Sequence, residues 1–177
     1  MSVISMNVKE AIESRRSIRK YKDKKVPDNL ITEVINAARL APSGNNAQPS
    51  RYLIVKDDKA KKKLKDNKII RDEWAYDAPV IIVCCADPKA YTKSVEGWDD
   101  ANKLRAIRDM AIASSFLVLQ ATELGLGTCY CGWIEKEKIK KVLGIPQHFI
   151  VQYVITLGYP AETPKSRPRK EIDEILL

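Results

Sequence analysis

The chain has 177 residues, 45% hydrophobic and 31% charged, enough for one domain with a full core and ordinary for a globular protein. Its formal charge is +8, from 31 basic and 23 acidic residues, but it has only two Phe and no aromatic residues alternating with the basic ones, which argues against a nucleic-acid binder that stacks bases. No apolar stretch approaches the length of a membrane span, so no transmembrane helix is expected.

The first six residues, Met1-Ser2-Val3-Ile4-Ser5-Met6, contain neither a basic stretch nor an extended apolar one, and no secretory signal is expected. Val8 to Ser14 reads as a short helix with Val8, Ala11 and Ile12 on one face. A second helix starts near Pro27-Asp28. Its broad apolar stripe is Leu30, Ile31, Val34, Ile35, Ala38 and Leu40, and it stops before Pro42. Tyr52 to Lys56 reads as a strand, and Lys59 to Asp66 as a polar helix held by Ala60 and Leu64. The basic run from Lys56 to Lys68 is the solvated face of that helix. Val80 to Ala86 is a continuous apolar run, β-branched and short, which predicts a central strand buried on both faces.

Residues 88 to 100 are polar and aromatic and read as a covering loop, with Tyr91 and Trp98 as candidate stacking residues. Ile107 to Leu124 carries the strongest helical periodicity. Met110, Ala111, Ala113, Ser114, Leu117, Val118, Ala121 and Leu124 recur at helical spacing, which predicts a buried central helix closed by Gly125. Thr128 to Trp133 reads as extended, Glu135 to Leu143 as a helix ending at Gly144, and Ile150 to Leu157 as a strand ended by Gly158-Tyr159-Pro160. The tail from Thr163 to Leu177 is basic, then amphipathic. Its Ile172, Ile175, Leu176 and Leu177 need a surface to pack on, such as a neighbouring subunit. Helices and strands mix without strict alternation, which predicts a layered α+β domain over residues 1–177.

The four cysteines are Cys84, Cys85, Cys129 and Cys131. Cys84 and Cys85 would point to opposite faces of a strand as plain buried thiols. Cys129-Tyr130-Cys131 is too tight for an easy internal disulfide, and no second Cys/His pair stands at zinc spacing. No metal is expected, and reduced thiols fit a cytoplasmic protein.

The sequence has no GxGxxG, no P-loop and no GxSxG, and its single His makes a Ser-His-Asp triad improbable. Chemistry carried by a bound cofactor fits better. Two basic clusters could converge on one phosphate: Arg15-Arg16-Ser17-Ile18-Arg19, and Lys165-Ser166-Arg167 followed by Arg169 and Lys170. Arginine binds phosphate in a bidentate manner, and Ser17 adds a hydroxyl donor. The first cluster equally fits a helix C-terminus followed by a solvated loop. Between them lies Ala41-Pro42-Ser43-Gly44-Asn45-Asn46-Ala47-Gln48-Pro49. Here Pro42 and Gly44 fix a tight path, and Asn46 and Gln48 carry donor–acceptor pairs suited to a heterocycle edge. The same loop also fits an ordinary helix-to-strand turn.

Together these segments resemble the nitroreductase family of FMN-dependent oxidoreductases. Arg-Arg-Ser-x-Arg is similar to the family's N-terminal phosphate motif, and Ala-Pro-Ser-x-x-Asn-x-Gln-Pro to its flavin-edge loop. Asp109 through Gly127 resembles its central helix, and Leu157-Gly-Tyr-Pro160 followed by Pro164-Lys-Ser-Arg167 its C-terminal signature. The resemblance covers nearly the whole chain. It implies a three-layer α/β/α fold with a central mixed sheet, and a homodimer with two FMN at the interface and the C-terminal tail reaching the partner. It further implies that Arg15, Arg16 and Ser17 hold the phosphate and ribityl end, with Lys165 and Arg167 returning to the phosphate. Arg19 would approach the N1/O2 side of the ring as an electrostatic stabiliser. Pro42, Ser43, Gly44 and Asn46, with Gln48 beside them, would line the ring from the other subunit. Cys131 and Gly132 match the strand beside N5 and O4, where a backbone N–H rather than the thiol is the useful group.

The implied reaction is ping-pong transfer from NAD(P)H to a nitroaromatic, quinone or related small acceptor, with no nucleic-acid or membrane partner. The same fold also serves dehalogenation, flavin handling and low-turnover regulatory binding, and these remain alternatives. The chain departs from the family pattern where Asn67, Arg71 and Trp74 precede Asp77-Ala78-Pro79, and in the 88–100 loop.

Overall fold

The computed structural model of the chain describes residues 6–91 and 100–177. Its elements are α1 (Val8–Ser14), α2 (Asp28–Arg39), β1 (Ser50–Val55), α3 (Asp58–Asp66), β2 (Val80–Ala86), α4 (Ala101–Glu123), β3 (Gly127–Cys131), α5 (Lys136–Leu143) and β4 (Ile150–Gly158). Trp98 lies outside the described residues.

Local chemistry sets the helix ends. Asn7 and Glu10 exchange side-chain-to-backbone bonds in a capping box at the start of α1. Asp57 caps α3 by accepting the N–H of Ala60 at 2.8 Å. At the end of α4, Gly125 takes a φ of 71°. The N–H groups of Leu126 and Gly125 then bond back to Ala121 and Thr122, at 2.8 and 3.0 Å. The helix begins at Ala101 rather than at Ile107, where its apolar periodicity starts. Its first two turns carry Lys103, Arg105 and Arg108 and bury only Ala101 and Ala106, so the stripe there is too sparse to read.

The strands form one sheet in the order β1-β2-β4-β3. All three pairings are antiparallel, which corrects the mixed sheet that the resemblance implied. The parallel pairing among the described residues is an isolated bridge between Ser17 and Thr128. β2 is buried along its whole length, as its unbroken apolar run predicts. Ile82, Cys84 and Ala86 face a core built with α2 and α4, whereas Ile81, Val83 and Cys85 face a second core with Leu64 of α3 and Ile139 of α5. Helices therefore cover both faces. Ile81 and Ile82 are completely buried on opposite faces, a contribution of about 1.5–3 kcal/mol each.

Two glycines let an irregular segment lie against this sheet. Gly127 of β3 pairs with Gly158 of β4. A β-carbon on Gly127 would come within 2.7 Å of Ile18, and one on Gly158 within 2.8 Å of the Tyr21 ring. Residues 17–22 occupy that space. Ile18 donates its N–H to Thr128 at 2.9 Å, and Lys22 donates to Tyr159 at 2.8 Å. The Tyr21 hydroxyl bonds the Ile18 carbonyl at 2.7 Å and Thr156 Oγ1 at 2.6 Å.

A second segment docks past the end of β3. Arg71 donates its N–H to the Trp133 carbonyl at 3.0 Å, and Glu135 donates to Ile69 at 2.8 Å. Beneath it the buried Tyr76 hydroxyl accepts the N–H of Ile70 at 2.7 Å and donates to the same residue's carbonyl at 3.0 Å. The chain then leaves the sheet, and residues 165–177 are exposed. Among the described residues no helix is long and apolar enough to cross a membrane.

Candidate cofactor-binding site

The first half of the site is the ribbon that follows α1. Arg15 ends that helix by turning to an extended ψ of 129°. Arg16 folds back on the helix, its Nη1 donating to the carbonyls of Glu13 at 2.6 Å and Arg15 at 2.9 Å. This satisfies C-terminal carbonyls that lack helical partners, and it leaves Nε and Nη2 of Arg16 for an incoming anion. Ser17 sits on the edge of β3 through its bridge to Thr128. Arg19 is exposed, but its backbone is fixed: its N–H donates to Glu162 Oε1 at 2.5 Å, and Lys20 donates to the same oxygen at 3.1 Å. The Arg19 guanidinium lies 5.9 Å from the centre of the Trp74 ring. Among the described residues no carboxylate pairs with the guanidinium of Arg15, Arg16 or Arg19.

The end of β3 supplies the wall beside this ribbon. The Cys131 thiol is buried in the second core, whereas Gly132 is exposed, and a β-carbon there would meet no atom within 4 Å. Trp133 is 72% exposed. Cys129 and Cys131 share a strand face and interact. The Cys131 thiol bonded to Cys129, with help from the Arg19 charge and the Ser17 hydroxyl, holds Cys129 below its usual range. Cys131 is driven up by that bond and by burial, so its thiol is a poor nucleophile.

Lys165 and Arg167 stand on the exposed extended tail. Lys165 follows Glu162 by three residues, a reach of about 10 Å. The tail therefore starts beside Arg19.

The second half is the loop from Pro42 to Gln48. It ends at β1, and the Pro49 carbonyl accepts the N–H of Asp87 at 2.9 Å. The left-handed positions are Asn45, Asn46 and Gln48, with φ of 55°, 52° and 50°. Gly44 serves a different need. Its N–H donates to Asp109 Oδ2 at 2.7 Å, and a β-carbon would come 3.3 Å from Arg108 Nη2. Ser43 Oγ accepts the N–H of Gln48 at 2.9 Å and so shapes the loop from within. Pro42, Ser43 and Gln48 line a cavity of about 290 Å3 together with Tyr52 and Asp109. Tyr91 is not an exposed stacking residue. It is 6% exposed, and its hydroxyl donates to Asp109.

Within one chain the two halves do not meet. The loop enters β1 at Ser50, which pairs with Ala86, whereas the ribbon lies at Thr128, which pairs with Leu157. In the order β1-β2-β4-β3 these are opposite edges of the sheet, three strand spacings or roughly 14 Å apart before any offset along the strands. They are also at opposite strand ends, because Val80 of β2 pairs with Leu157 and Ala86 with Ile150. Beside the arginine, loop and tail residues expected from the sequence, the structure brings in three more: Asp109 at the loop, Glu162 at the Arg19 backbone and exposed Trp133 past β3. The signal for Asp109 was present: a carboxylate beside the buried stripe of an otherwise apolar helix face.

Residues 12–69 and 66–159 match the family model described as nitroreductase family. The chain is 36% identical over 179 residues to a protein of Methanothermobacter thermautotrophicus provisionally named NADH dehydrogenase/NAD(P)H nitroreductase, spanning 99% of this chain and 88% of that one. It is 28% identical over 171 residues to the FMN reductase (NAD(P)H) of Bacillus subtilis, spanning 90% of this chain and 68% of that one. Among solved structures, a provisionally named nitroreductase of Desulfovibrio desulfuricans in complex with FMN superposes with a TM-score of 0.84 at 28% identity, over 96% of this chain and 95% of that one.

Proposed function

Because the chain belongs to the nitroreductase family, we propose that it is a homodimeric, FMN-dependent NAD(P)H oxidoreductase that passes two electrons to a small nitroaromatic or quinone acceptor. The observation that carries this reading is the ribbon of guanidiniums without carboxylate partners among the described residues, laid beside the open flank of Gly132. Unpaired cations next to a hydroxyl suit a phosphate. A backbone with free space beside it suits the edge of a planar ring. The residues present therefore fit FMN.

Bound there, FMN would supply the redox chemistry, taking hydride from the nicotinamide and passing two electrons to the acceptor. The chain's own residues bind and orient. Arg15, the free nitrogens of Arg16, the Ser17 hydroxyl, Lys165 and Arg167 hold the phosphate end. Arg19 is held by Glu162 at its backbone and by Trp74 at its guanidinium. It presents a fixed positive charge to the pyrimidine edge, where negative charge develops, and needs little reorganisation to do so. Gly132 lets the backbone approach the ring, and the buried Cys131 thiol takes no part.

A second copy completes the site. Pro42, Ser43, Gly44, Asn46 and Gln48 of one chain would line the ring held by the ribbon of the other, which accounts for their separation within a chain. Val8, Ile12, Leu104 and Phe116 are exposed on α1 and α4, as are Ile172, Ile175, Leu176 and Leu177 of the tail. They offer an apolar face and a strap for such a pair. Residues 1–177 would act as one FMN-binding domain, and four free thiols are consistent with a reducing compartment such as the cytoplasm.

The visible spectrum of the purified protein tests this reading. Oxidised flavin bands at about one FMN per chain are expected. NADH or NADPH should bleach them without oxygen, and a nitroaromatic or quinone should restore them. A colourless protein that takes up no FMN would overturn it.

A further inference from the structure

The binding roles above leave one buried charge on α4 without a task. Asp109 is 2% exposed. Its Oδ2 accepts the Gly44 N–H at 2.7 Å and the Tyr91 hydroxyl, and its Oδ1 accepts Arg108 Nε at 2.8 Å. Burying a carboxylate is unfavourable unless its oxygens are matched. An apolar residue would fill the same place on the helix without that penalty, so the carboxylate is to be explained by what it holds. It holds a loop that lies 65 residues earlier in the chain.

That loop needs holding. Gln48 carries a φ of 50° without the tolerance that Asn has for this region, and such conformations persist only where the surroundings over-determine them. At its end, Arg51 Nη1 of β1 donates to the Gln48 carbonyl at 2.8 Å, but the bonds of Ser43 with Asn46 and Gln48 and of Gly44 with Ala47 are internal and set the curl without fixing the place of the tip at Gly44. The contact with α4 fixes its place. The missing β-carbon of Gly44 leaves room for Arg108, Tyr91 and Asp109 at 3.3, 3.5 and 3.6 Å. Tyr91 is itself covered by Arg105, whose guanidinium lies 4.1 Å from the ring centre.

We propose that Asp109 is a positioning residue acting across the dimer: by clamping Gly44 and Tyr91 to α4, it sets the shape in which residues 42–48 meet the FMN held by the other chain. This rests on the two-chain FMN site proposed above. Asp109 touches no part of the cofactor and acts only through the loop.

The test uses Asp109→Asn, which keeps the volume but puts an amide donor where one acceptor stood, together with Arg15→Ala. Each variant is prepared as a homodimer, and the two are co-expressed with different tags to isolate the mixed dimer. FMN per chain is read from the flavin absorbance at a concentration where both homodimers are less than one tenth loaded. In the mixed dimer, one site joins an intact ribbon to an intact loop and the other joins both defects. Loading of half the wild-type value supports the proposal, and loading no higher than in the homodimers overturns it. If the wild-type chain binds no FMN, the underlying functional reading falls first. That outcome differs from a loaded wild type without complementation, which sinks the clamp alone. Should Asp109→Asn fail to fold, Tyr91→Phe removes one donor and leaves the carboxylate. A several-fold rise in its FMN Kd at an unchanged melting temperature supports the clamp, and an unchanged Kd overturns it.

Discussion

Ile18 lies so close over Gly127 that a β-carbon on the glycine would come within 2.7 Å of the isoleucine Cγ1. The contact seats the ribbon carrying Arg15, Arg16 and Arg19 on the edge of β3. The ribbon's place is therefore set by a missing side chain on the sheet as well as by its own bonds.

Gly127→Ala should push Ile18 outward at a cost of about 1–3 kcal/mol, the range for overpacking a filled site. Urea unfolding should show the loss. FMN affinity should fall with it, because the arginines move with the ribbon. Adding Ile18→Ala should recover part of the loss, since the two positions share one contact. Additive effects would refute the contact.

Arg15→Ala should weaken FMN binding by about 1.5–3 kcal/mol, the value of a hydrogen bond to a charged group. Titrating the apo-protein with FMN by fluorescence measures it. An unchanged Kd would contradict the phosphate assignment.

Arg19→Ala should lower the midpoint potential of the bound flavin while leaving FMN affinity largely intact, because in the proposed site its charge would be offered to the ring and not to the phosphate. Spectroelectrochemistry reads the shift. Trp74→Ala should move the potential the same way but less, since it only steadies the guanidinium.

Acid should release the loop. Burial pushes the Asp109 carboxyl up, but the bonds from Tyr91, Arg108 and the Gly44 N–H outweigh it and hold the group below its ordinary 3.8. A carboxylate depressed in the folded state contributes stability above its unfolded value, and that contribution is lost as pH falls through the folded one. Tyr91 and Arg108, both held above their ordinary values, stay protonated throughout this range. Flavin retention should therefore drop below about pH 4 in the wild type, and Asp109→Asn should show no step there. A step of equal size in the variant would assign the acid sensitivity to other carboxylates.

Removing residues 165–177 should lower both FMN affinity and the strength of the dimer, because Lys165, Arg167 and the apolar tail leave together. Sedimentation at several protein concentrations separates the two losses. A double variant, Lys165→Ala with Arg167→Ala, should reduce FMN affinity while leaving the flavin-free dimer as strong as in the wild type.

Much of the architecture was written in local patterns. The unbroken run from Val80 to Ala86 announced a strand covered on both faces, and the spacing from Met110 to Leu124 announced the buried helix. What stayed hidden depended on distant partners. Strand order and direction are set by pairings such as Val80 with Leu157, which no local window contains. Gly127 and Gly158 read as ordinary ends of elements, because the side chains that occupy their empty space, Ile18 and Tyr21, lie far away in sequence. Asp109 read only as the first residue of the family-like central helix, because its partner Gly44 is 65 residues distant. The arginine ribbon and the asparagine loop stood out as candidate binding segments only together and through the family resemblance, since each alone also fits a solvated helix end or an ordinary turn, and their placement at opposite corners of the sheet was not legible at all.

That diagonal placement ties colour to concentration. In the proposed dimer, a twofold pair with self-matching contacts would close two sockets at once or none, so the cofactor would act as a rivet between copies. A ligand that binds only the assembled form stabilises it by mass action. Serial dilution into flavin-free buffer should therefore bleed the yellow from the protein at the same point where sedimentation reports lone chains, and added FMN should shift both midpoints together.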